Sequence, residues 1–272
     1  MRLSEMRTLL ESEGIRLSRR LGQHFMHDAH QLDRMVTAAG LREGAPVLEI
    51  GPGLGPLTER LLAAGARVRA IEKDARLARL LEERLGHHAR LEVWVRDALE
   101  YLQEEKPDLD GWCVVSNLPY SVASPLLVEL ASLERPPVRL VVTVQAEVAD
   151  RIAARAGDPA YGLLTLLVQR TYQPGSRFRI PATCFYPVPK VDSACLVLER
   201  FPKVPRELRE VFDRLVRRAF SQRRKQMFKL LRAEWPESKL AEAFDRLGLS
   251  RAVRGEAVSL EQYVELARAL QT

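Results

Sequence analysis

The chain has 272 residues, 46% of them apolar and 29% charged, which is long enough for a large α/β core with a smaller appendage and leaves no room for extended disorder. With 42 basic against 36 acidic residues the net charge is +6, which suits a polyanionic partner without establishing one. Arginine outnumbers lysine 35 to 7, supplying planar forks that grip phosphate and stack on bases, unless codon bias alone sets the ratio. Cys113, Cys184 and Cys195 are an odd number without metal-type spacing, so neither a zinc site nor a disulfide framework is expected, and a cytoplasmic location fits. Met1 to Leu21 is broken up by charges, and nowhere do about 18 uncharged apolar residues run together. Neither a signal peptide nor a membrane span is expected.

From about residue 28 to residue 200, short β-rich apolar runs alternate with helical patterns, the signature of a mainly parallel sheet with crossover helices. In chain order, helices are predicted over 29–39, 57–64, 75–86, 124–131, 146–156 and about 161–167. Seven strands are predicted over 46–51, 67–72, 91–97, 112–116, 138–145, 168–172 and 194–199, the last two forming an antiparallel hairpin across residues 173–191. After Phe201, Pro202 and Pro205 break the chain and everything beyond reads as helix. The expected organisation is an α/β, Rossmann-like seven-stranded domain over residues 1–201 and a small all-α domain over residues 202–272.

The first predicted strand runs into Glu49-Ile50-Gly51-Pro52-Gly53-Leu54-Gly55, and a helix follows at once. Glycines at alternate positions let the backbone turn sharply and admit a ligand against the main chain. A dinucleotide fold prefers Gly-x-Gly-x-x-Gly, with a helix N-terminus facing a pyrophosphate. Here the spacing is Gly-x-Gly-x-Gly with Glu49 ahead of it, which would oppose a phosphate and suit a cationic sulfonium and ammonium. The loop therefore favours S-adenosylmethionine over a nicotinamide dinucleotide; the bland alternative is a tight strand-to-helix turn. Glu72 closes the second strand, 21 residues beyond Gly51, where an acid accepts hydrogen bonds from ribose hydroxyls, and Asp97 closes the third. The ordered trio of loop, Glu72 and Asp97 is more specific than the loop alone.

The fourth strand ends in Asn117-Leu118-Pro119-Tyr120, and Asn117 is the only asparagine in the chain. An adenine 6-amino group is a poor nucleophile because its lone pair is delocalised into the ring. The Asn117 amide oxygen and the Leu118 carbonyl can each accept one N–H, drawing the nitrogen toward tetrahedral geometry. Pro119 stiffens the turn, and Tyr120 offers a face on which an extruded base can stack. The competing reading is an Asx-type turn. Phe185, in the run Thr183–Lys190, is the candidate for the opposite face of the base, with hairpin core as its alternative.

Residues 203–232 carry eleven basic side chains against three acidic ones, and from Ala233 onward five basic face seven acidic. No acid lies between Arg214 and Arg232, so a solvated face paired at i,i+4 is ruled out and an external anion is expected to neutralise the tract. Arg217, Arg218, Arg223, Arg224 and Lys225 are the candidate phosphate contacts, with Arg2, Arg7, Arg16, Arg19 and Arg20 able to widen the patch.

Taken in order, residues 21–26, 49–55, Glu72, Asp97, 117–120, 145–149, 185–193 and 219–225 make the chain resemble the ribosomal RNA adenine dimethyltransferase family over nearly its whole length, most closely its bacterial small-subunit branch. That resemblance implies S-adenosylmethionine as methyl donor and dimethylation of two adjacent adenosines in the 3′-terminal hairpin loop of 16S rRNA, during small-subunit assembly. It also implies that the positions matching His24, Met26, Gly51, Glu72, Asp97 and Asn117 hold the cofactor, joined by Gly53 from the loop reading. His24 stands where the family generally has Asn, and Met26 where it has Leu. A monomer is expected. The rival readings are a sister enzyme that methylates large-subunit rRNA and a non-catalytic RNA-binding assembly factor on the same fold.

Overall fold

The structure, a computed structural model, describes residues 1–15, 23–222 and 224–271. Expectations attached to Arg16, Arg19, Arg20, Leu21, Gly22 and Arg223 lie outside the described residues.

The chain divides into two compact units, Met1–Ala149 with Pro174–Arg200, and Asp150–Gln173 with Phe201–Thr272. The first holds a seven-stranded sheet built from β2 (Pro46–Ile50), β3 (Arg67–Glu72), β4 (Leu91–Val95), β5 (Cys113–Asn117), β6 (Arg139–Gln145), β7 (Tyr172–Ile180) and β9 (Ser193–Arg200), in the order β4-β3-β2-β5-β6-β9-β7. The pairs β2–β3, β3–β4, β2–β5 and β5–β6 are parallel, and β6–β9 is antiparallel. Strand order runs outward in both directions from β2, so the switch point lies beside it, and the carboxyl ends of β2, β3 and β5 open onto one crevice.

The helices form where the sequence caps them. Asp28 accepts the Gln31 N–H at the start of α2 (Ala29–Ala39), and Gly40 ends that helix in the left-handed region at φ 58°. Gly55 precedes α3 (Pro56–Ala63), and Asp74 caps α4 (Ala75–Leu85). Their inner faces close on the sheet in one apolar cluster that includes Leu32, Met35, Leu57, Leu61, Leu81, Val47 and Val115. The N-terminal helix α1 (Leu3–Ser12) joins a second cluster in which its Met6 and Leu10 accompany Phe25, Leu54, Leu77 and Leu80. A two-stranded ladder pairs β1 (Phe25–Met26) with β8 (Phe185–Tyr186), tying the chain ahead of α2 to the segment that follows β7.

Three differences from the sequence reading have physical causes. Asp97 is not the end of a strand: β4 stops at Val95, and Asp97 caps a further helix, α5 (Ala98–Glu105). Residues 168–171 are not strand. The helix predicted over about 161–167 is α8 (Leu163–Gln169), which runs two residues further than expected; residues 164–168 are all buried, so no periodicity marks where it ends. The strand instead runs through Pro174 and Gly175, an unpromising pattern tolerated because β7 is the last strand of the sheet. Finally, the single boundary expected after residue 201 becomes two excursions, because residues 150–173 pack with the C-terminal helices.

That second unit contains α8 with α9 (Arg209–Ala219), α10 (Met227–Leu231), α11 (Glu237–Arg246) and α12 (Leu260–Leu270), besides the end of α7 (Ala146–Ala153). Arg170, 2% exposed, pairs with Asp213 of α9, and the Tyr161 hydroxyl donates to the Val258 carbonyl at 2.9 Å. Neither contact can form without residues 150–173. Beyond residue 201 no strand is found among the described residues.

Candidate active site at the carboxyl edge of the sheet

The glycine loop after β2 is held by backbone geometry that side chains would spoil. Gly51, at φ +69°, donates its N–H to the Ile71 carbonyl at 2.8 Å, and a Cβ on it would sit 3.3 Å from Pro119 Cγ. At Gly53, φ +56°, a Cβ would lie 2.3 Å from the Phe25 ring. Glu72, 6% exposed, accepts the Gly53 N–H on Oε2 at 3.1 Å and the Asp74 N–H on Oε1 at 2.9 Å. Burial pushes its carboxyl above the ordinary value, and the two N–H donors only partly offset this. Asp97 accepts the Leu99 N–H on Oδ1 at 2.7 Å and the Lys73 ammonium on Oδ2 at 2.6 Å. Partial burial pushes it up, but the bonds from Lys73 and the helix N–H groups outweigh this and hold it low. The two acids thus differ, one nearly dry and one salt-bridged.

Glu49 departs from its expected part. Its side chain is 2% exposed, turned into the core, with Oε2 accepting the Thr58 hydroxyl at 2.7 Å. Burial, assisted by the charge of Glu72, raises its pKa to about 8 against the Thr58 bond. A group mostly neutral at pH 7 and absent from the cavity wall neither attracts a sulfonium nor repels a phosphate. Its role is to hold α3 on β2.

At the end of β5 the Asn117 amide Nδ2 donates to the His24 carbonyl at 2.8 Å. A carbonyl only accepts, so the amide nitrogen must face it, and Oδ1 is left buried without a hydrogen-bond partner. The turn is fixed by bonds from the Leu118 N–H to the Thr143 carbonyl at 3.2 Å and from the Val122 N–H to the Pro119 carbonyl at 3.1 Å. The Tyr120 hydroxyl hydrogen-bonds Ser193 Oγ, and its ring stacks on His24.

His24, Gly51, Glu72, Asp97, Asn117, Leu118, Pro119 and Tyr120 line one cavity of about 270 Å³. Gly53 supports it from behind through Glu72. Met26 and Phe185 do not line it: they are 2% and 1% exposed, opposite one another in the β1–β8 ladder and part of the main apolar cluster. The alternation of a strand turns Phe185 inward and leaves Tyr186 the half-exposed one, so Phe185 is core and does not clamp a base. Lys73, Leu77 and Leu99 also line the cavity and went unread in the sequence, although each lies within five residues of Glu72 or Asp97.

In the second unit, Arg217, Arg224 and Lys225 are exposed, and none pairs with a carboxylate among the described residues. Arg224 adopts φ 68° in the turn between α9 and α10. Arg218 is partly spent internally: Nε donates to the Leu230 carbonyl at 2.8 Å. The tract is also not devoid of counter-charge, because Glu234, just past it, reaches Arg214 at 3.5 Å and Arg218 at 3.7 Å.

The donor set fits S-adenosylmethionine. Glu72 at the end of β3 and Asp97 at the cap of α5 offer carboxylates for hydroxyl and amine hydrogens, glycines keep Cβ atoms off the main chain, Ile71, Leu77 and Leu99 give an apolar wall, and one amide oxygen is left unbonded. Fold and site define a Rossmann-like S-adenosylmethionine-dependent methyltransferase. The family model for ribosomal RNA adenine dimethylase matches residues 14–272. The chain is 37% identical to a ribosomal RNA small subunit methyltransferase A of Protochlamydia amoebophila over 97% of its length and 94% of the relative's. It is 38% identical to that of Streptococcus pneumoniae, over 97% and 96%. Among solved structures it is similar to a dimethyladenosine transferase from Plasmodium falciparum (TM-score 0.75, 25% identity, 89% and 95% covered) and to the 23S rRNA methyltransferase ErmE (TM-score 0.69, 29% identity, 91% and 100% covered). The chain belongs to the ribosomal RNA adenine dimethylase family.

Two outcomes are expected from the acids. Glu72→Ala should weaken S-adenosylmethionine binding by about 1.5–3 kcal/mol in calorimetry, and lower the melting temperature of the ligand-free protein, because two loop N–H groups lose their acceptor; unchanged affinity would remove Glu72 from the cofactor site. Glu49, whose folded pKa lies above its unfolded value of 4.5, binds its proton more tightly when folded, so stability should fall as pH rises through the window up to about 8. Glu49→Gln should flatten that decline in denaturation midpoints measured from pH 5 to pH 8.

Proposed function

We propose that this chain transfers two methyl groups to the 6-amino group of each of two adjacent adenosines in the 3′-terminal hairpin loop of 16S rRNA, as a monomer acting in the cytoplasm on a small-subunit precursor. The observation that carries the reading is the unbonded, buried Oδ1 of Asn117. An acceptor withdrawn from water without a partner costs about 1–3 kcal/mol, and a target amine N–H satisfies it. The Leu118 carbonyl takes the second N–H, and Tyr120 holds the ring plane. With both hydrogens directed at fixed acceptors, the nitrogen lone pair is drawn out of conjugation. S-adenosylmethionine supplies an electrophilic methyl group on a cationic sulfur, and the alkylated nitrogen is acidic enough to lose its proton without a dedicated base.

The unit Met1–Ala149 with Pro174–Arg200 is assigned the methyl transfer, and the unit Asp150–Gln173 with Phe201–Thr272 the RNA grip, through Arg217, Arg223, Arg224 and Lys225, with Arg218 contributing less because of its bond to Leu230. Phosphate contacts give affinity and carry no sequence information, so rRNA shape selects the target. The names of the relatives at 37–38% identity support the small-subunit target over the large-subunit one of ErmE. Tritiated methyl transfer to small subunits lacking the modification, followed by mapping of the labelled nucleotides, tests the assignment; label in large-subunit RNA would overturn it.

Asn117→Ala should cut single-turnover methylation about 10²–10³-fold while RNA affinity stays near wild type, since the interaction is realised mainly in the transition state. A near wild-type rate would reduce the residue to a turn-former. Replacing Arg217, Arg224 and Lys225 together with alanine should have the converse effect. The log–log salt slope of RNA binding should fall by roughly 0.7–0.9 per lost contact, with the single-turnover rate at saturating RNA little changed.

A further inference from the structure

His24 lines the cavity, and the partners its side chain has in the structure are Tyr120 and the Pro187 carbonyl. Its ring stacks on Tyr120 with centroids 5.2 Å apart and planes at 28°. A base interposed between two rings needs about 7 Å, twice the rise of stacked bases, so none fits between these two. His24 therefore covers one face of Tyr120, so a target base would stack on the opposite one. Its Nδ1 lies 2.7 Å from the Pro187 carbonyl; a carbonyl only accepts, so Nδ1 carries the hydrogen and donates it. The imidazole is thereby fixed in plane against the segment after β8. The far end of the Tyr120 ring is fixed separately through its hydroxyl and Ser193 Oγ, and Ser193 is fully buried at the start of β9.

We infer that His24 is a positioning residue for the target base: its imidazole backs the Tyr120 ring, making a two-layer platform on which the adenine stacks as the third layer, and its side chain does not hold the cofactor. This rests on the reading of Tyr120 as the base-stacking residue. The backbone of His24 contributes independently by accepting the Asn117 amide, and that contact survives any substitution of the side chain. Platform and acceptor are thus set by one residue, the ring fixing the plane of the base and the carbonyl fixing the direction of the oxygen that receives its amine.

The test uses the full chain and a hairpin RNA carrying 2-aminopurine at the target adenine, whose fluorescence is quenched by stacking and which lacks the 6-amino group, so stacking is read apart from the Asn117 contact. His24→Ala should relieve much of the quenching and slow single-turnover methylation of the adenine-containing RNA about tenfold, the scale of one aromatic pair. Its S-adenosylmethionine affinity should be unchanged. His24→Phe, which keeps a stacking ring and loses the Pro187 bond, should recover most of both signals. In a Tyr120→Ala background, His24→Ala should cost less than about twofold more. Intact quenching in His24→Ala, or a weakened cofactor affinity with quenching intact, overturns the inference. If Tyr120→Ala itself leaves quenching intact, the base-stacking reading of Tyr120 fails instead.

Discussion

A side-chain amide has a donor end and an acceptor end, and at Asn117 only the donor end is used. The Nδ2 bond to the His24 carbonyl leaves Oδ1 buried and unbonded at the rim of β5, where water does not reach it. That asymmetry depends on a chain of supports. The carbonyl of His24 is in place because the next two residues form β1 and pair with β8. β1 is anchored in turn by Phe25, packed against the glycine loop and among the side chains of α1, and by Met26 in the main core. The two residues that do not reach the cavity, Met26 and Phe185, thus stand opposite each other in the ladder that holds the His24 carbonyl still. Preorganisation of this kind puts the cost of an unpaired oxygen into folding, so that it need not be met when the base arrives.

The sheet explains why so much chemistry falls within one crevice. Because strand order reverses beside β2, the loop after β2, the acid after β3 and the amide after β5 are brought to one edge although they are spread over some 70 residues of sequence. Each position does structural work as well. Asp97 caps α5 and Glu72 ties the Gly53 N–H, so the residues offered to a cofactor are also the ones that close the local backbone. Loss of either acid is therefore felt in the loop as well as in the ligand.

The crevice itself was largely legible in the sequence, because strand-terminal glycine, acid and Asn-Leu-Pro-Tyr patterns depend on local backbone constraints that one-dimensional spacing preserves. What was not legible depended on side-chain direction and on long-range packing. Nothing in Glu49-Ile50-Gly51 says that the carboxylate points into the core toward Thr58, and nothing near Phe185 says which face of a two-residue strand it takes. The end of helix α8 leaves no mark in the periodicity because residues 164–168 are all buried, and residues 150–173 belong with the C-terminal helices through Arg170–Asp213 and Tyr161–Val258, contacts that span 43 and 97 residues. Likewise Glu234 lies two residues past the last arginine of the basic tract, outside the window in which its absence was inferred.

The acceptor geometry bears on dimethylation itself. An unmodified 6-amino group has two N–H bonds, and on the proposed reading it meets two acceptors, Asn117 Oδ1 and the Leu118 carbonyl. After one methyl transfer a single N–H remains, so one acceptor is left without a partner when the second methyl group is delivered. The rigid one of the pair is the Leu118 carbonyl, in the peptide to Pro119, with the preceding peptide pinned by the Leu118 N–H to the Thr143 carbonyl and the turn beyond closed by the Val122 N–H on the Pro119 carbonyl. The Asn117 oxygen then returns to the unbonded state it has in the ligand-free protein, at the cost already met in folding. On this reading the monomethylated amine would keep the backbone acceptor while its methyl group lies toward Asn117, and the second transfer would rely more on the stacking platform to keep the ring in plane. A site that reads the base by stacking and needs only one N–H for orientation can act twice on the same nitrogen, whereas one that required both hydrogens would stop after the first.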